Sequence, residues 1–332
     1  MKNNLKRLIF ILTIPFILLG FELYHRTYLL MGTFVEITIP EKNDKLLEGT
    51  IEKMKSLEAL MSTYKKDSEV SQINSLGKGQ LKKVSPEVYE VIERAIYFSK
   101  ITDGAFDITV SPLLKLWHFE EGKLKEIPSQ EKINEALKSV GWQNIILSPE
   151  KEVGFTKQNM SIDLGGIATG YIVDKGITYL KEKGIKSALI NAGGDIYCLG
   201  EKDKGELWNV GIRNPRKKNE TIGTLKLKDK GVTTSGDYEK FFILNGKRFC
   251  HIINPQIGYP VDNSVIQVTV VAGTCTDADV LATALMVIGK EKGLKLIENL
   301  KDTEAVIIEE SAEGKLSISY TSGLKDIIEI YE

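Results

Sequence analysis

From Thr33 to Pro40 the chain reads TFVEITIP, apolar and polar side chains in alternation, which predicts a strand. From Lys45 to Tyr64 apolar residues recur near Leu47, Ile51, Met54, Leu57 and Leu60 or Met61, the spacing of an amphipathic helix. VSPEVYEVIERAIYFSKIT predicts a second helix, with Ser85 as N-cap and Pro86 at its first position. Asp103-Gly104 marks a turn, Lys115 to Lys132 reads as a surface excursion, and Gln130 to Val140 as a short helix. Three short strands follow, Ile145–Leu147, Glu152–Thr156 and Ser161–Leu164, then a helix from Tyr171 to Lys183. SALINAGGDIYCLG reads as strand, glycine turn, strand; WNVGIRNP, GTLKLKDKGVTTSG, KFFILNGKRFCHIINP and VIQVTVVAG are strand-like. Thr276–Ile288 and Lys290–Leu300 are predicted helices, and AVIIEE with KLSISY a closing hairpin. Helices and strands mix without a regular βαβ alternation, which predicts an α+β fold of mainly antiparallel sheets with flanking helices. No repeat or linker interrupts it, so one catalytic unit is expected.

Charge narrows the partners. The 332 residues carry a formal net charge of -1 and no basic stripe interleaved with aromatics, so nucleic acid is excluded as a partner. Three widely spaced cysteines, Cys198, Cys250 and Cys275, exclude a disulfide framework and a zinc knuckle. The N-terminus departs from the rest: Lys2, Lys6 and Arg7 precede an apolar run from Leu8 to Gly20. Residues 1–25 are expected to be a signal sequence or membrane anchor, with a catalytic domain over 26–332. The positive-inside rule puts that domain on the extracytoplasmic side of the cell membrane or envelope. No cysteine follows the run, so a lipoprotein anchor is not expected.

Four stretches carry chemistry. In SIDLGGIATGY, Asp163 closes the predicted strand, Gly165 and Gly166 let backbone approach a ligand, and Gly170 permits close helix packing. The N–H groups and dipole at the start of the following helix favour an anion, although glycine geometry alone also explains the turn. NAGGDIY places Asn191, Gly193, Gly194 and Asp195 at a hairpin, for which a type I′ turn is a full explanation. In CTDADVLATALMVIG, Asp277 and Asp279 open a helix, and Asp279 and Thr283 share one face. A carboxylate and a hydroxyl there suit a hard cation, or a capping aspartate and a core threonine. In CHIINPQIGYP, His251 precedes a rigid turn, a place for a general acid or base as much as for a structural histidine. TTSGDYEKFF adds hydroxyls, but no G-x-S-x-G and no serine-histidine-aspartate order is present.

Taken in order, MGTFVEI, MSTYKKDSEVSQIN, TDGAFDITVSPL, DLGGIATGYIVD, NAGGDIY, WNVGIRNP, TTSGDYEKFF, HIINPQIGYP and ADVLATAL resemble the FAD:protein FMN transferase family, often called ApbE. The resemblance covers nearly all the chain after about Tyr28. It implies a T-fold-related α+β architecture and an enzyme that takes FAD as substrate with magnesium. Such enzymes cleave the FAD pyrophosphate, link FMN through a phosphoester to a threonine or serine of an acceptor protein, and release AMP. Family acceptors carry a D-x-x-[S/T]-G-A-[S/T]-like motif and include redox-pump subunits and envelope electron carriers.

Carried over residue by residue, the resemblance places magnesium on Ala168 through its carbonyl, Asp279 and Thr283, with Ala282 nearby through its backbone. Met31, Tyr64, Ala105, Phe106 and Asp107 would line the flavin or adenine site. Gly165, Tyr171, His251 and Ile253 would flank the dinucleotide. Asp279 and His251 are the catalytic candidates, His251 for deprotonating the acceptor hydroxyl or assisting AMP departure. Two positions depart from the family pattern: Thr169 stands where a lysine is common, and Asn254 where HIINP is often H-I-I-D-P. The first removes a cation near phosphate, and the second a negative charge expected near the metal. An envelope FAD-storage protein and an FAD pyrophosphatase, with water as acceptor, are the competing readings.

Overall fold

A computed structural model describes residues 23–119 and 126–331. In chain order the strands are β1 (Tyr24–Leu30), β2 (Thr33–Ile39), β3 (Leu81–Lys83), β4 (Ile145–Leu147), β5 (Glu152–Phe155), β6 (Ala188–Ala192), β7 (Asp195–Leu199), β8 (Trp208–Arg213), β9 (Thr221–Leu227), β10 (Lys230–Gly236), β11 (Phe241–Leu244), β12 (Lys247–Cys250), β13 (Val265–Ala272), β14 (Glu304–Glu310), β15 (Leu316–Tyr320) and β16 (Ile328–Ile330). The helices are α1 (Asp44–Met61), α2 (Glu69–Asn74), α3 (Pro86–Ile101), α4 (Ser111–Trp117), α5 (Gln130–Leu137), α6 (Ala168–Glu182), α7 (Cys275–Ile288) and α8 (Lys290–Glu298).

Eight strands form the central sheet in the order β1-β2-β6-β7-β10-β13-β14-β15, with antiparallel pairing at every step. The expected α+β class therefore holds. Every residue of β13 is buried, because the strand is covered on both faces. Its Val268, Val270 and Ala272 join the core that includes Ala278, Leu281, Ala282 and Leu285 of α7. Its Val271 joins the opposite core, with Trp208, Val210, Ile212, Leu225 and Leu227 of the small sheet β16-β9-β8. α1 and α6 close a third core over β1, β2 and β6 through Leu47, Ile51, Met54, Leu57, Ile172 and Ile177.

The local signals account for many of these elements. Ser85 caps α3 by accepting the Val88 N–H, with Pro86 at the first helical position, as its sequence predicts. β6 and β7 meet in a two-residue turn with Gly193 at φ 66° and Gly194 at φ 111°, both in the region that favours glycine.

Three expectations are corrected. Ser161–Leu164 is not a strand: Asn74 of α2 takes both backbone bonds of Ile162, at 2.7 and 2.8 Å, and the Asp163 N–H goes to the Ile108 carbonyl. The helix after the glycine loop begins at Ala168, three residues before Tyr171. The stretch from Lys115 is not all surface, because Trp117 is fully buried against Phe242, Phe249 and Tyr259, and its indole N–H donates to the Gly258 carbonyl. β1 takes in Tyr24 and His25, which the sequence assigned to the N-terminal segment. The apolar run Leu8–Gly20 lies outside the described residues; among the described ones, no helix is long and apolar enough to cross a membrane.

Candidate active site

The glycine loop folds around a single carbonyl. Ile167 and Ala168 both donate their N–H groups to the Leu164 oxygen, at 3.0 and 2.8 Å, and Asp163 turns back to accept the Gly165 N–H at 2.8 Å. Ile167, at the N-cap of α6, offers no side-chain acceptor. The acceptor comes from α7 instead, where Asp279 Oδ2 takes the Gly170 N–H at 3.2 Å. The exchange is reciprocal. Asp174 of α6 accepts the Cys275 and Thr276 N–H groups at 2.8 Å each, and the Thr276 hydroxyl at 2.5 Å, capping α7.

Each glycine of the loop has its own constraint. A Cβ on Gly170 would stand 2.5 Å from the Cys275 carbonyl oxygen, so glycine is what lets α6 and α7 touch. A Cβ on Gly166 would stand 3.2 Å from the Phe106 ring and 3.4 Å from Thr283 Oγ1. The loop therefore lies over the face of α7 that presents Asp279 and Thr283, with Ala168 between its two anchor points. Ser235 of β10 reaches the same place, its Oγ 3.5 Å from Thr283 Oγ1.

The charges here are unbalanced. Asp279 is buried, and burial pushes its carboxyl well above the usual carboxylate range, with the neighbouring Asp195 charge adding to it. Asp195, at the start of β7, is pushed up to about 7 by burial, against a hydrogen bond from Thr233 and with Asp174 adding repulsion. Asp174 itself is pushed up to about 6, again chiefly by burial. Asp277 stands apart, held bidentately by Arg94 of α3 at 3.0 and 2.6 Å.

A hard divalent cation fits this donor set. The available atoms are oxygens, and the crowded carboxyls among them have no basic partner among the described residues, so a cation there would favour their ionised form. Among the described residues no cluster of three or more His, Cys, Asp and Glu side chains is placed to hold an ion. The expected ligand set contains one carboxylate, with backbone carbonyls and a hydroxyl supplying the rest.

The family model of the ApbE family matches residues 31–307. The FAD:protein FMN transferase of Klebsiella pneumoniae is 32% identical over 299 residues, covering 89% of this chain and 92% of that protein. That of Vibrio cholerae is 34% identical over 266 residues, covering 79% and 76%. The chain belongs to the ApbE family. The solved flavin transferase ApbE from Vibrio cholerae superposes with a TM-score of 0.83 at 30% identity, covering 92% of this chain and 99% of that one. The ApbE protein from Thermotoga maritima gives 0.82 at 33% identity, covering 92% and 99%.

Within this ApbE-family chain the expected ligand residues fall into groups. Ala168, Asp279, Ala282 and Thr283 lie together at the loop and on α7, with Phe106 beside Gly166. Met31 occupies the β1–β2 turn at φ 54°, its N–H donated to Glu58 Oε1 at 2.9 Å. Tyr64, just past α1, is 73% exposed. Ala105 and Asp107 are buried. Both Asp107 oxygens are committed, Oδ1 to the Thr109 N–H and hydroxyl and Oδ2 to the Trp142 N–H. Asp107 thus shapes the loop through its side chain. Gly165 is exposed. The Tyr171 hydroxyl donates to Glu90 Oε2 at 2.6 Å, which with burial raises its pKa.

His251 follows β12, and Ile253 is buried behind it. His251 Nδ1 lies 3.2 Å from the Lys240 carbonyl oxygen, so Nδ1 carries the hydrogen and Nε2 the lone pair. Burial pushes the imidazole down to about 4, and the Lys240 ammonium adds to it, so it is neutral at physiological pH. Among the described residues no hydrogen bond joins it to Asp279 or Thr283. Asn254 accepts the Gln256 N–H at 2.9 Å, a local turn contact that an amide makes as well as a carboxylate. Thr169 is the second residue of α6, between Ala168 and Gly170.

Asp195, Asp174 and Ser235 were not singled out by sequence as ligand-site residues. Asp174 and Asp195 stand inside quoted motifs, but each reads locally as a helix or hairpin residue. Only the pairing of β6, β7 and β10 brings Asp195 toward α7.

Proposed function

We propose that this chain is a magnesium-dependent FAD:protein FMN transferase. The observation that carries the reading is the glycine loop laid over Asp279 and Thr283, with Asp195 facing them, in a chain whose relatives bear that activity in their names. Asp279, Thr283 and the carbonyl of Ala168, with the backbone of Ala282 beside them, would hold the cation. Magnesium held there would supply charge neutralisation and Lewis-acid polarisation at the pyrophosphate.

The chain's own groups do the rest. Backbone N–H groups at the loop and at the start of α6 orient the phosphates. Met31, Tyr64 and the Ala105–Asp107 loop hold the flavin or adenine. The neutral Nε2 of His251 takes the proton of the acceptor hydroxyl as its oxygen bonds to the FMN phosphorus. The anhydride bond breaks, AMP leaves with the bridging oxygen, and FMN stays on the acceptor threonine or serine through a phosphoester. The acceptor is a protein with a D-x-x-[S/T]-G-A-[S/T]-like motif, and the work is done at the envelope face of the cell membrane.

The test incubates the full chain in detergent with FAD, magnesium and such an acceptor and reads the acceptor's intact mass. A gain of one phosphoester-linked FMN, lost with chelator, is expected. AMP release without that gain would instead identify a pyrophosphatase. Bound FAD with neither product would identify a storage protein.

A further inference from the structure

Away from the candidate site, the described fold holds a cleft of about 670 Å³. Its walls are the end of α6, the α6–β6 loop, the segment after β7 and the β9–β10 turn, and Leu23 lies among them. Five lysines line it, Lys181, Lys186, Lys202, Lys204 and Lys228, against three carboxylates, Glu201, Asp203 and Asp229.

The carboxylates are used locally. Glu201 takes Lys228 Nζ at 2.8 Å and the Gly205 N–H at 3.0 Å, Asp203 the Lys204 N–H at 2.7 Å, and Asp229 the Gly200 N–H at 2.8 Å. Lys202 pairs with Glu206 outside the cleft. Among the described residues Lys186 and Lys204 have no carboxylate partner. The Ser187 hydroxyl in the wall is buried and makes no hydrogen bond among them. The walls are built to meet: Gly200 is at φ +60°, and a Cβ there would stand 2.0 Å from the Lys186 carbonyl oxygen.

Two rulers place this cleft. From Ala168 to Lys181, α6 advances thirteen residues, about 20 Å at its rise per residue. From Tyr24 to Leu30, β1 takes six steps, again about 20 Å, ending beside Met31. The cleft and the candidate active site thus lie at opposite ends of the same two elements. A third distance ties the cleft to the N-terminus: Gly20, where the apolar run ends, is three residues from Leu23, a reach of about 10 Å at most.

We propose that this lysine-lined cleft docks on the phosphates of anionic phospholipid headgroups, with Lys186 and Lys204 as its principal contacts, and holds the FAD site about 20 Å above the bilayer. The inference rests on reading residues 1–22 as a membrane-associated segment. Charge complementarity and the short tether select lipid as the occupant. Its consequence is that an acceptor presents its hydroxyl above the headgroups.

The test floats the full chain with vesicles of phosphatidylcholine alone and of phosphatidylcholine mixed with phosphatidylglycerol. Association with the neutral vesicles reports the apolar run, and the gain on adding phosphatidylglycerol reports the cleft. The wild type should bind the anionic vesicles at least about 25-fold more strongly, less so at high salt. K186E/K204E should keep its neutral-vesicle binding and its flavinylation of a soluble acceptor, yet lose most of the preference, about fivefold per lysine. Neutral-vesicle binding with no anionic preference, or a preference unchanged in K186E/K204E, overturns the cleft assignment alone. Loss of the preference to competing inorganic phosphate at constant ionic strength also overturns it, giving the cleft to free phosphate. Binding to neither vesicle overturns the membrane reading and this proposal with it.

Discussion

Asp279 of α7 accepts the Gly170 N–H of α6 at 3.2 Å, so the carboxylate placed to hold a cation also caps the helix that follows the glycine loop. The two tasks are separable by mutation. Asp279→Asn keeps an oxygen for the cap and removes the charge; Asp279→Ala removes both. Each should lower magnesium-dependent flavinylation more than about 100-fold, since even outer-shell partners of bound metals cost 10–100-fold. Only the alanine variant should lose appreciable stability in urea. Undiminished turnover in Asp279→Asn would remove the cation from this position.

The acidic cluster sets a pH dependence with a definite sign. Asp174 is raised to about 6 and Asp195 to about 7 from an ordinary value of 3.8, and Asp279 is raised as well. A carboxyl raised on folding favours the protonated form. Its stabilisation is full below the unfolded value and is lost as pH rises through the folded one. The metal-free protein should therefore melt at lower temperature at pH 8 than at pH 5, the loss running from about pH 4 upward and ending between pH 6 and 7. Magnesium should restore more of the melting temperature at pH 8 than at pH 5, because the ion competes with protons for these oxygens. A metal-free melting temperature that rises steadily across this window would contradict the assignment.

Gly170→Ala tests the contact between α6 and α7. Alanine is the better helix former, but its Cβ would stand 2.5 Å from the Cys275 carbonyl oxygen and 2.9 Å from the Thr276 Cα, backbone that no side-chain rotation moves. The clash should cost about 1–3 kcal/mol in urea unfolding. It should also weaken magnesium binding, since the displaced loop carries Ala168. A variant as stable as the wild type would show that the helices separate without penalty.

How far the sequence carried the fold follows from the range of each signal. Caps and turns act within a few residues, so Ser85, Pro86 and the Gly193-Gly194 hairpin were legible. Ser161–Leu164 misled because its alternation is that of an extended chain, whereas the partner that prevents a ladder, Asn74, lies 88 positions from Ile162. β1 was missed because its register with β2 shows only once Leu29 is seen opposite Phe34. The candidate site divides in the same way. Asp279 and Thr283 announce themselves through helical spacing, while Asp195 depends on sheet order, and nothing near Asp107 in sequence shows that its second oxygen is taken by Trp142, 35 positions away.

Asp107→Ala should behave as a structural lesion more than as a lost ligand. It leaves the Thr109 and Trp142 N–H groups without their acceptor, and each buried group costs about 1–3 kcal/mol. Stability should fall by at least about 2 kcal/mol and FAD affinity with it, as the Ala105–Phe106 segment shifts. Asp107→Asn should recover only part of both, because its single carbonyl oxygen can accept from Thr109 or from Trp142 but not from the two together. Weakened FAD binding with stability intact would make Asp107 a direct ligand.

His251→Asn separates chemistry from binding. The imidazole presents Nε2 as a base because Nδ1 faces the Lys240 carbonyl, and with a pKa near 4 it stays neutral across the working range. A general base contributes about 10²–10⁴-fold, so kcat for flavin transfer should fall by that order while the Kd for FAD changes little. In the wild type, transfer should show no acid limb from this group until pH approaches 4. The variant should lose any limb that remains there, and residual transfer should rise with pH as hydroxide takes over proton removal. A fall in FAD affinity matching the fall in rate would place His251 among the binding residues, and the proton would then need another acceptor near Ser235 and Asp195.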